Sequence, residues 1–384
     1  MRTNTSTSIT GIDPAAWDAL VGDGAPFLRH AFLAGLESSG SVGGHTGWTP
    51  APITLHDERG LAAAAPAYIK AHSFGEFVFD FSWAQAYAQH GLAYYPKLVI
   101  GVPFTPATAP RLLVRPDLDG ATWRARLVAA IEEFAAAGEM SSAHGLFLDA
   151  DDGRAFADAG WLARSDVQFH WSNAGYADYE AFLESFTTKF RKNARRERRR
   201  VAEAGVTCET LLGPELDRHA IDEIYDLHRD TFQRHGHEPY LTRAFFRLLP
   251  AALGESLMIK RARRDGETVA ASVFYWNREA LYGRYWGTRD NYHSLHFELC
   301  YHQGIDFCIE RGIARFEPGT QGEHKVSRGF VPARTSSRHW IVDARFRAAI
   351  GDYLEREGAH VENYAGEIGR HVPYRDARRE ARDK

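Results

Sequence analysis

Apolar and polar positions follow the same order in the two halves of the chain. Each half opens with a helix-like segment, continues with strand-like runs, returns to an amphipathic helix, and closes with a glycine and a short strand. In the first amphipathic helix the apolar residues Leu127, Ile131 and Phe134 recur at steps of three and four. The segments are residues 26–33 and 239–246 (opening helices), 61–71, 77–81, 268–276 and 281–287 (strands), 123–137 and 296–311 (amphipathic helices), and 145–149 and 312–317 (closing strands).

This order of elements predicts an α/β fold of the α+β type, in which mixed sheets are flanked by helices. The length of 384 residues predicts two domains, which we place at residues 1–170 and 171–384. The first part contains 11 basic and 18 acidic residues and the second 35 and 32, so the formal net charge of −4 conceals an acidic first half. The two halves either descend from a duplication or are alike because any two α/β halves are.

Several familiar classes of enzyme have no motif here. The chain contains no P-loop, no G-x-S-x-G elbow and no H-E-x-x-H, and the glycines at 40, 43, 44 and 47 lack the spacing of a dinucleotide-binding turn. No apolar run approaches the roughly 18 residues of a membrane span, and residues 1–10 lack the apolar core of a secretory signal. Only three cysteines occur, which predicts a reducing, cytoplasmic location.

Residues 186–204 predict a strongly basic helix that ends at Gly205. Eight Lys and Arg residues lie between Lys189 and Arg200, with Glu197 as the single acid. Two interpretations remain open: a solvated helix whose charges pair with the acidic first half, or a surface that binds the phosphates of RNA or of a phosphorylated carrier. The candidate phosphate-binding residues are Lys189, Arg191, Lys192, Arg195 and Arg196.

Residues 319–329 are the strongest candidate for chemistry. Three glycines surround an acid, an imidazole and two cations directly after a predicted strand, where α/β sheets bind ligands. Glu323 or His324 could accept a proton, while Lys325 and Arg328 could hold a phosphate or carboxylate or stabilise an oxyanion. The alternative is a charged surface turn.

Two neighbouring segments add further candidates. Strand alternation places Tyr282, Arg284 and Trp286 on one face and Tyr285 on the other, so Arg284 is either a stacked structural residue or a ligand contact. On the following helix, His296 and Cys300 share a face, which zinc could use with His293 as a third ligand. Packed side chains are the more common outcome, and we predict no metal site.

Several motifs occur together in a fixed order along the chain. They are residues 32–48, 68–76, 94–97, 103–106, 282–287, 295–301 and 322–325. In this order they resemble a known family, the FemAB-like predicted N-acyltransferases associated with peptidoglycan biosynthesis or recognition, and the resemblance extends from about residue 15 to about residue 375. The resemblance implies two tandem GNAT-type domains, and the wider superfamily includes enzymes that move amino acids from aminoacyl-tRNA onto peptidoglycan precursors.

One departure from the GNAT pattern bears on the acyl donor. GNAT enzymes that use coenzyme A carry a glycine-containing turn whose backbone N–H groups hold the pyrophosphate. Here residues 289–296 occupy that position and contain no glycine. The departure favours aminoacyl-tRNA over acyl-CoA.

The sequence thus predicts a cytoplasmic N-acyltransferase without a tightly bound cofactor. Aminoacyl-tRNA or acyl-CoA would be the co-substrate, and a small-molecule or peptide amine the acceptor, with tRNA as a possible partner of the basic helix. The catalytic candidates are Glu323, His324 and Lys325; the donor-binding candidates are Arg328, Arg284, Tyr282, Trp286 and His296; and the acceptor-binding candidates are Lys70, His72, Glu76 and Lys97. The competing hypotheses are a non-catalytic module for a peptidoglycan-like or nucleotide-linked ligand, and a plain RNA-binding protein.

Overall fold

The computed structural model describes residues 2–290, 292–320 and 322–375. Its contacts divide the chain into two units. The first unit contains residues 1–166 and 334–362, and the second contains residues 167–333 and 363–384. None of the helices in the described ranges is long and apolar enough to cross a membrane.

The first part of the chain alternates short helices and strands. Aspartate side chains cap the first turns of several helices, among them Asp13, Asp119 and Asp149. The elements are β1 (Arg2–Thr5), α1 (Pro14–Val21), α2 (His30–Ser38), β2 (Trp48–Pro50), β3 (Ile53–Asp57), β4 (Gly60–Ala65), β5 (Ala67–Lys70), α3 (Phe81–Gln89), β6 (Lys97–Ile100), β7 (Leu113–Val114), α4 (Gly120–Ala137), β8 (Ser142–Leu146), α5 (Ala150–Asp158) and β9 (Leu162–Ser172).

The second part of the chain has longer strands and ends in a long helix. α10, a π-helical turn at Glu298–His302 and α11 follow one another without a break, and a 3₁₀ turn occupies Glu323–Arg328. The elements are α6 (Tyr179–Glu184), α7 (Thr188–Glu203), β10 (Thr207–Leu212), α8 (Arg218–Arg234), α9 (Arg243–Leu253), β11 (Leu257–Arg264), β12 (Glu267–Trp276), β13 (Ala280–Thr288), α10 (Leu295–Phe297), α11 (Gln303–Arg311), β14 (Arg315–Glu317), β15 (Val331–Ile341) and α12 (Ala344–Gly369).

Both units repeat the same pattern of strand pairing. In the first, the order is β2-β5-β6-β8-β15, and only the β6–β8 pair is parallel. In the second, the order β11-β12-β13-β14-β9 likewise contains one parallel pair, β13–β14. In each unit a helical segment lies in the chain between the two parallel strands: α4, and the segment from α10 to α11. The repeated pattern supports the duplication interpretation, and the predicted mixed α/β class is confirmed.

The last strand of each pattern comes from an unexpected place in the sequence. β9 follows β8 in the chain but pairs with β14, whereas β15 follows β14 but pairs with β8. Residues 334–362 therefore belong to the first unit, although the boundary at residue 170 assigned them to the second domain. A boundary drawn along the sequence assumes that neighbouring strands stay together, and these two strands do not.

Pro66 and a run of phenylalanines account for two differences from the predicted elements. The predicted strand 61–71 is two strands, because Pro66 lies between β4 and β5. The strand predicted at residues 77–81 was wrong: residues 77–80 form no strand, and α3 begins at Phe81. Phe79 lies in a loop and Phe81 is the first residue of α3, and both remain exposed.

Candidate functional site

A cavity of about 230 Å³ in the second unit gathers many of the predicted site residues. Its walls come from β12, β13, the helical segment after β13, and the 3₁₀ turn Glu323–Arg328. The predicted site residues that line it are Arg284, Trp286, His296, His324 and Lys325. Of the other candidates from this part of the chain, Tyr282, Glu323 and Arg328 are not among its lining residues.

A β-bulge in β13 shapes one wall. Val273 pairs with Tyr285 and Phe274 pairs with Gly283, so Arg284 is the inserted residue of the bulge. The extra residue breaks the alternation of side chains, and Arg284, Tyr285 and Trp286 all line the cavity. The Tyr285 ring packs against His228 and Phe246, whereas the Trp286 ring packs against His296, so these two side chains lie on opposite faces of β13.

Tyr282 lies before the bulge and has a different environment. It is 3% exposed and pairs with Glu317 at the end of the parallel β13–β14 contact. This position makes it part of the sheet core rather than of the cavity wall.

Lys325 is a buried cation at the cavity. Its side chain carries an ammonium group in a residue that is 2% exposed, and Nζ donates hydrogen bonds to the carbonyl oxygens of Gly319 (2.8 Å) and Thr320 (2.9 Å). Burial lowers the pKa of Lys325 to about 8. In the described part of the chain Lys325 forms no ion pair, and its hydrogen-bond partners there are two backbone carbonyl oxygens.

His324 and Tyr301 form a hydrogen-bonded pair on the cavity wall. The Nε2 atom of His324 lies 2.8 Å from the Tyr301 hydroxyl oxygen. Burial, followed by the charges of Arg328 and Lys325, lowers the pKa of His324, which favours a neutral imidazole near pH 7. A neutral imidazole can accept a proton, either directly or through water.

Gly322 makes room for the His324 ring. A Cβ at Gly322 would lie 2.3 Å from an imidazole carbon, and its φ of +115° is a conformation that other residues rarely adopt. The glycine at this position, one of three in residues 319–329, is therefore explained by the close approach of the His324 ring and by its backbone conformation.

Glu323 and Arg328 do not line the cavity, and their side chains contact other parts of the second unit. The exposed Glu323 accepts a hydrogen bond from the Tyr364 hydroxyl at 2.9 Å. Arg328 binds Glu197 of α7 through two hydrogen bonds, of 2.5 and 3.0 Å, and its guanidinium lies 3.4 Å from the centre of the Phe297 ring. The two hydrogen bonds between Arg328 and Glu197 hold the 3₁₀ turn against α7. Arg328 therefore positions this turn.

Glu197 was not recognised as a site residue from the sequence. It is 6% exposed, and besides Arg328 it contacts Nε2 of His302 at 3.0 Å. The available signal was its isolation as the one acid among eight cations. A lone acid on a basic helix marks the face that is buried against other cations.

His296 and Cys300 face the cavity from the helical segment. Burial lowers the pKa of His296 to about 4 and raises that of Cys300 to about 12. The Cys300 sulfur lies 3.0 Å from the Ser272 hydroxyl, and His296 packs edge-on to Trp286. Within the described ranges no group of three or more His, Cys, Asp or Glu side chains could hold a metal ion.

The basic helix is α7, and one of its faces borders a groove of about 670 Å³. Four of the predicted phosphate-binding residues line the groove, and the fifth, Arg191, does not. In the described part of the chain Lys189, Lys192 and Arg196 form no ion pair. The ion pairs that α7 does form are with acids of the second unit: Arg195 with Glu180, Arg198 with Glu298 and Asp306, Arg199 with Glu203, and Arg328 with Glu197.

The predicted acceptor-binding residues lie together in the first unit. Lys97 Nζ lies 2.8 Å from Glu76 Oε2 and also binds Asp80, while Lys70 Nζ lies 3.6 Å from the centre of the Trp48 ring. Lys70, Glu76 and Lys97 are at most 4% exposed, so they form a buried ionic network.

The pKa values in this network respond to burial and to its charges. Burial lowers the pKa of Lys70 to about 7 and raises that of Glu76 to about 7. For Asp80 burial acts in the opposite direction but is outweighed by the charge of Lys97, and the pKa falls to about 2. His72 is the half-buried member, and its ring packs against the exposed Phe74.

Comparison with known proteins agrees with this architecture. The model of the FemAB-like family, described as peptidoglycan biosynthesis/recognition, matches residues 8–376. The chain therefore belongs to the FemAB-like family. No curated protein sequence matches the chain.

Three solved structures share the fold at low sequence identity. FemX is 11% identical, with 91% of this chain and 100% of FemX aligned and a TM-score of 0.56. The C-terminal domain of a putative lysylphosphatidylglycerol synthetase from Agrobacterium fabrum is 12% identical, with 91% and 97% aligned and a TM-score of 0.54. A conserved protein of unknown function from Bacteroides thetaiotaomicron is 12% identical, with 89% and 100% aligned and a TM-score of 0.51.

Proposed function

We propose that this protein is an N-acyltransferase that moves an acyl or aminoacyl group from an activated ester to an acceptor amine. The observation that carries the proposal is the cavity in which His324, hydrogen-bonded to Tyr301, lies beside the buried ammonium group of Lys325. Membership of a family described as peptidoglycan biosynthesis/recognition supports the same reaction class.

The cavity offers the groups that such a transfer needs. The attacking amine must lose a proton, and the neutral imidazole of His324 can take it, through a water where required. The tetrahedral intermediate carries a negative oxygen, which Lys325 can stabilise with the N–H that its two carbonyl partners leave unused. Arg284 and Trp286 line the cavity and would orient the reacting groups.

We further propose that the donor is aminoacyl-tRNA rather than acyl-CoA. The groove beside α7 presents Lys189, Lys192 and Arg196 without ion-pair partners in the described part of the chain, which suits a phosphate backbone. Residues 289–296 contain no glycine for a pyrophosphate turn, although Asn291 lies outside the described residues.

For the acceptor, we propose the region around His72 in the first unit. Lys70, Glu76 and Lys97 are enclosed, so in this proposal they act by holding the 71–80 segment in place rather than by direct contact. Lys70 donates to the Phe74 carbonyl (3.2 Å) and Lys97 to the Ser73 hydroxyl (2.9 Å), which ties this segment to β5 and β6.

An assay with two labelled donors tests the reaction class. The protein is incubated with labelled aminoacyl-tRNA or acyl-CoA and a mixed pool of amines, and amide products are separated. We expect amide from aminoacyl-tRNA, lost by about 10²-fold or more in His324→Gln if the imidazole is the base. Glu323→Gln is the matched control, because Glu323 does not line the cavity.

The outcomes separate the remaining hypotheses. Activity that survives His324→Gln but disappears in Glu323→Gln would transfer the proton-accepting role to Glu323. A non-catalytic binding module predicts no amide with either donor, and a plain RNA-binding protein predicts salt-dependent RNA binding that His324→Gln leaves unchanged.

A further inference from the structure

Three phenylalanines form an exposed aromatic cluster on the first unit. Phe74, Phe79 and Phe81 are 58%, 51% and 42% exposed. The centre of the Phe81 ring lies 5.3 Å from that of Phe74 and 6.1 Å from that of Phe79. A contiguous group of large apolar side chains in water commonly marks a contact surface. We call these three residues the phenylalanine surface.

The backbone beneath the phenylalanine surface is held in place. Lys70 Nζ donates to the Phe74 carbonyl (3.2 Å), and Arg164 Nη1 donates to the Phe79 carbonyl (2.8 Å). Between them Phe77 has a φ of +60°, which bulky residues rarely adopt. Such a conformation persists only where the surrounding structure enforces it. The exposure of the rings is therefore built into the segment that carries them.

The surface of this segment is uncharged. No Asp, Glu, Lys or Arg is exposed between residues 71 and 93, all of which the structure describes. The two acids of this stretch, Glu76 and Asp80, are buried. Arg164, which supports the segment from β9, pairs with Glu357. In a chain of which 25% is charged, a neutral apolar surface of this kind indicates a partner that offers hydrocarbon rather than charge.

The area of the phenylalanine surface is small for a protein interface. At about 200 Å² for a whole phenylalanine side chain, the three rings expose about 300 Å² together. A standard interface buries about 800 Å² on each partner. The surface therefore offers less than half of the area that a stable dimer with a second copy of this chain needs.

A small ligand also fits these side chains poorly. Ligand pockets are concave and bury most of the ligand, whereas the three rings are themselves about half exposed. A fluid hydrocarbon layer needs neither a large area nor a hollow, because its chains conform to the apolar groups that enter it. Phenylalanine is among the residues that lie at the boundary between lipid headgroups and acyl chains.

We propose that the phenylalanine surface docks reversibly on a lipid bilayer, with its three rings placed among the upper parts of the acyl chains. The hydrophobic effect drives this contact, because residues 71–93 expose no charge for anionic headgroups to bind. The inference goes beyond the proposed acyl transfer and does not depend on it. The His72 ring lies 5.4 Å from that of Phe74, so docking brings the region proposed for the acceptor close to the lipid surface.

Sedimentation with vesicles of pure phosphatidylcholine tests the docking. This lipid carries no net charge, so the cations of α7 gain no attraction from it. We expect the protein to bind with a partition coefficient of up to about 10⁴ M⁻¹, the value for a single myristoyl chain. The coefficient should stay constant when NaCl is raised from about 0.1 M to about 0.5 M. Binding that requires anionic lipid and falls with salt would assign the contact to α7 and overturn the proposal.

Variants locate the contact. Phe74→Ser, Phe79→Ser and Phe81→Ser should each lower the partition coefficient by about tenfold or more, because each removes roughly 100 Å² of apolar surface. The triple variant should not sediment with the vesicles. Leu248→Ser is the matched control, since Leu248 is 40% exposed on α9 of the second unit, and it should leave the coefficient unchanged. All four side chains are exposed, so the variants should fold, which circular dichroism verifies.

Three results would contradict the docking. The first is a protein that stays in the supernatant with phosphatidylcholine, and the second is an equal loss of binding in Leu248→Ser and Phe79→Ser. The third is self-association in sedimentation velocity that the triple variant abolishes, without vesicle binding, which would assign the surface to a second copy of the chain. These measurements contain no acyl donor or acceptor, so their failure leaves the proposed transfer standing.

Discussion

Glu197 illustrates how one residue connects two parts of the second unit. It is the one acid between Lys189 and Arg200 of α7, and it binds both Arg328 of the 3₁₀ turn and His302 of the π-helical turn. Those two turns carry residues on either side of the cavity. The sequence shows the acid, but the partners come from positions more than 100 residues away.

At the residue scale we predict that Glu197→Gln strongly destabilises the protein. Removing the charge leaves the buried guanidinium of Arg328 uncompensated, which typically costs about 3–5 kcal/mol. Chemical denaturation measures the free energy of unfolding. Glu180→Gln is the control, since it removes an acid that pairs with Arg195 of the same helix at the surface, where such pairs contribute about 0–1 kcal/mol. Equal losses of unfolding free energy in the two variants would show that the buried pair contributes no more to stability than the surface pair.

The structure changes the interpretation of the basic helix α7. Its Ala194, Glu197 and Val201 are buried, so one face packs against the second unit and the cations occupy the remaining faces. The helix is thus neither fully solvated nor wholly neutralised. Among its groove-lining cations, Lys189, Lys192 and Arg196 form no ion pair in the described part of the chain.

At the element scale we predict that Lys192→Gln combined with Arg196→Gln weakens binding of tRNA. If each residue contacts a phosphate, the log–log slope of affinity against salt should become shallower by about 1.5, from roughly 0.7–0.9 per contact. The control is Arg345→Gln combined with Arg356→Gln, which removes the same charge from exposed positions on α12. If both double variants shift the slope alike, binding follows net charge and the groove has no particular role.

The bulge in β13 shows why element-level prediction fails at the site. Arg284 and Trp286 both line the cavity, but the inserted residue shifts the alternation before it, so Tyr282 shares a face with Tyr285 and lies in the core. The bulge depends on how β13 pairs with β12, and the sequence of β13 alone does not specify that pairing.

At the scale of the whole molecule, the exchange of β9 and β15 makes a simple division of the chain impossible. β8 pairs with β15, and a core of the first unit takes Ile341, Phe346, Ile350 and Leu354 from residues 334–362. Residues 334–362, which come late in the sequence, therefore belong to the first unit.

We predict that residues 1–166 alone do not fold cooperatively, whereas the same residues joined to 334–362 by a flexible linker do. Losing four large apolar side chains at about 1.5–3 kcal/mol each removes an amount comparable with the whole stability of a typical domain. Thermal unfolding followed by circular dichroism makes the comparison. A cooperative transition in the short fragment, at the temperature of the linked one, would contradict the exchange.

Stability should also depend on pH through buried histidines. Burial is the first cause of the lowered pKa of His144 (about 3), His228 (about 4), His296 (about 4) and His339 (well below its ordinary value). A histidine with a depressed pKa is neutral in the folded state and takes up a proton on unfolding. Its contribution is complete above about pH 6.5 and decreases as pH falls toward the folded-state pKa, by about 1.4 kcal/mol per pH unit for each histidine.

Three acids act against this trend, because burial raises the pKa of Glu76 and Asp152 to about 7 and also raises the pKa of Asp306. The histidines outnumber them, so we expect the free energy of unfolding to decrease from pH 6.5 to 4.5. His339→Gln should flatten the profile relative to the unmodified protein, measured by urea denaturation at each pH. An unchanged slope would mean that His339 is protonated in the folded state.

The sequence by itself determined the mixed α/β class, the repeated order of elements and the basic helix, and it predicted the segment from Gly319 to Gly329 as a place for chemistry. These follow from local periodicity and composition, which each segment carries without its neighbours. Only the tertiary structure decided that Lys325 lines a cavity while Glu323 does not, that Arg328 has a counter-ion while Lys325 has none among the described residues, and that β9 and β15 exchange places. Burial, ion pairing and strand pairing all depend on which distant residues come together, and that choice is made by the packing of the whole chain.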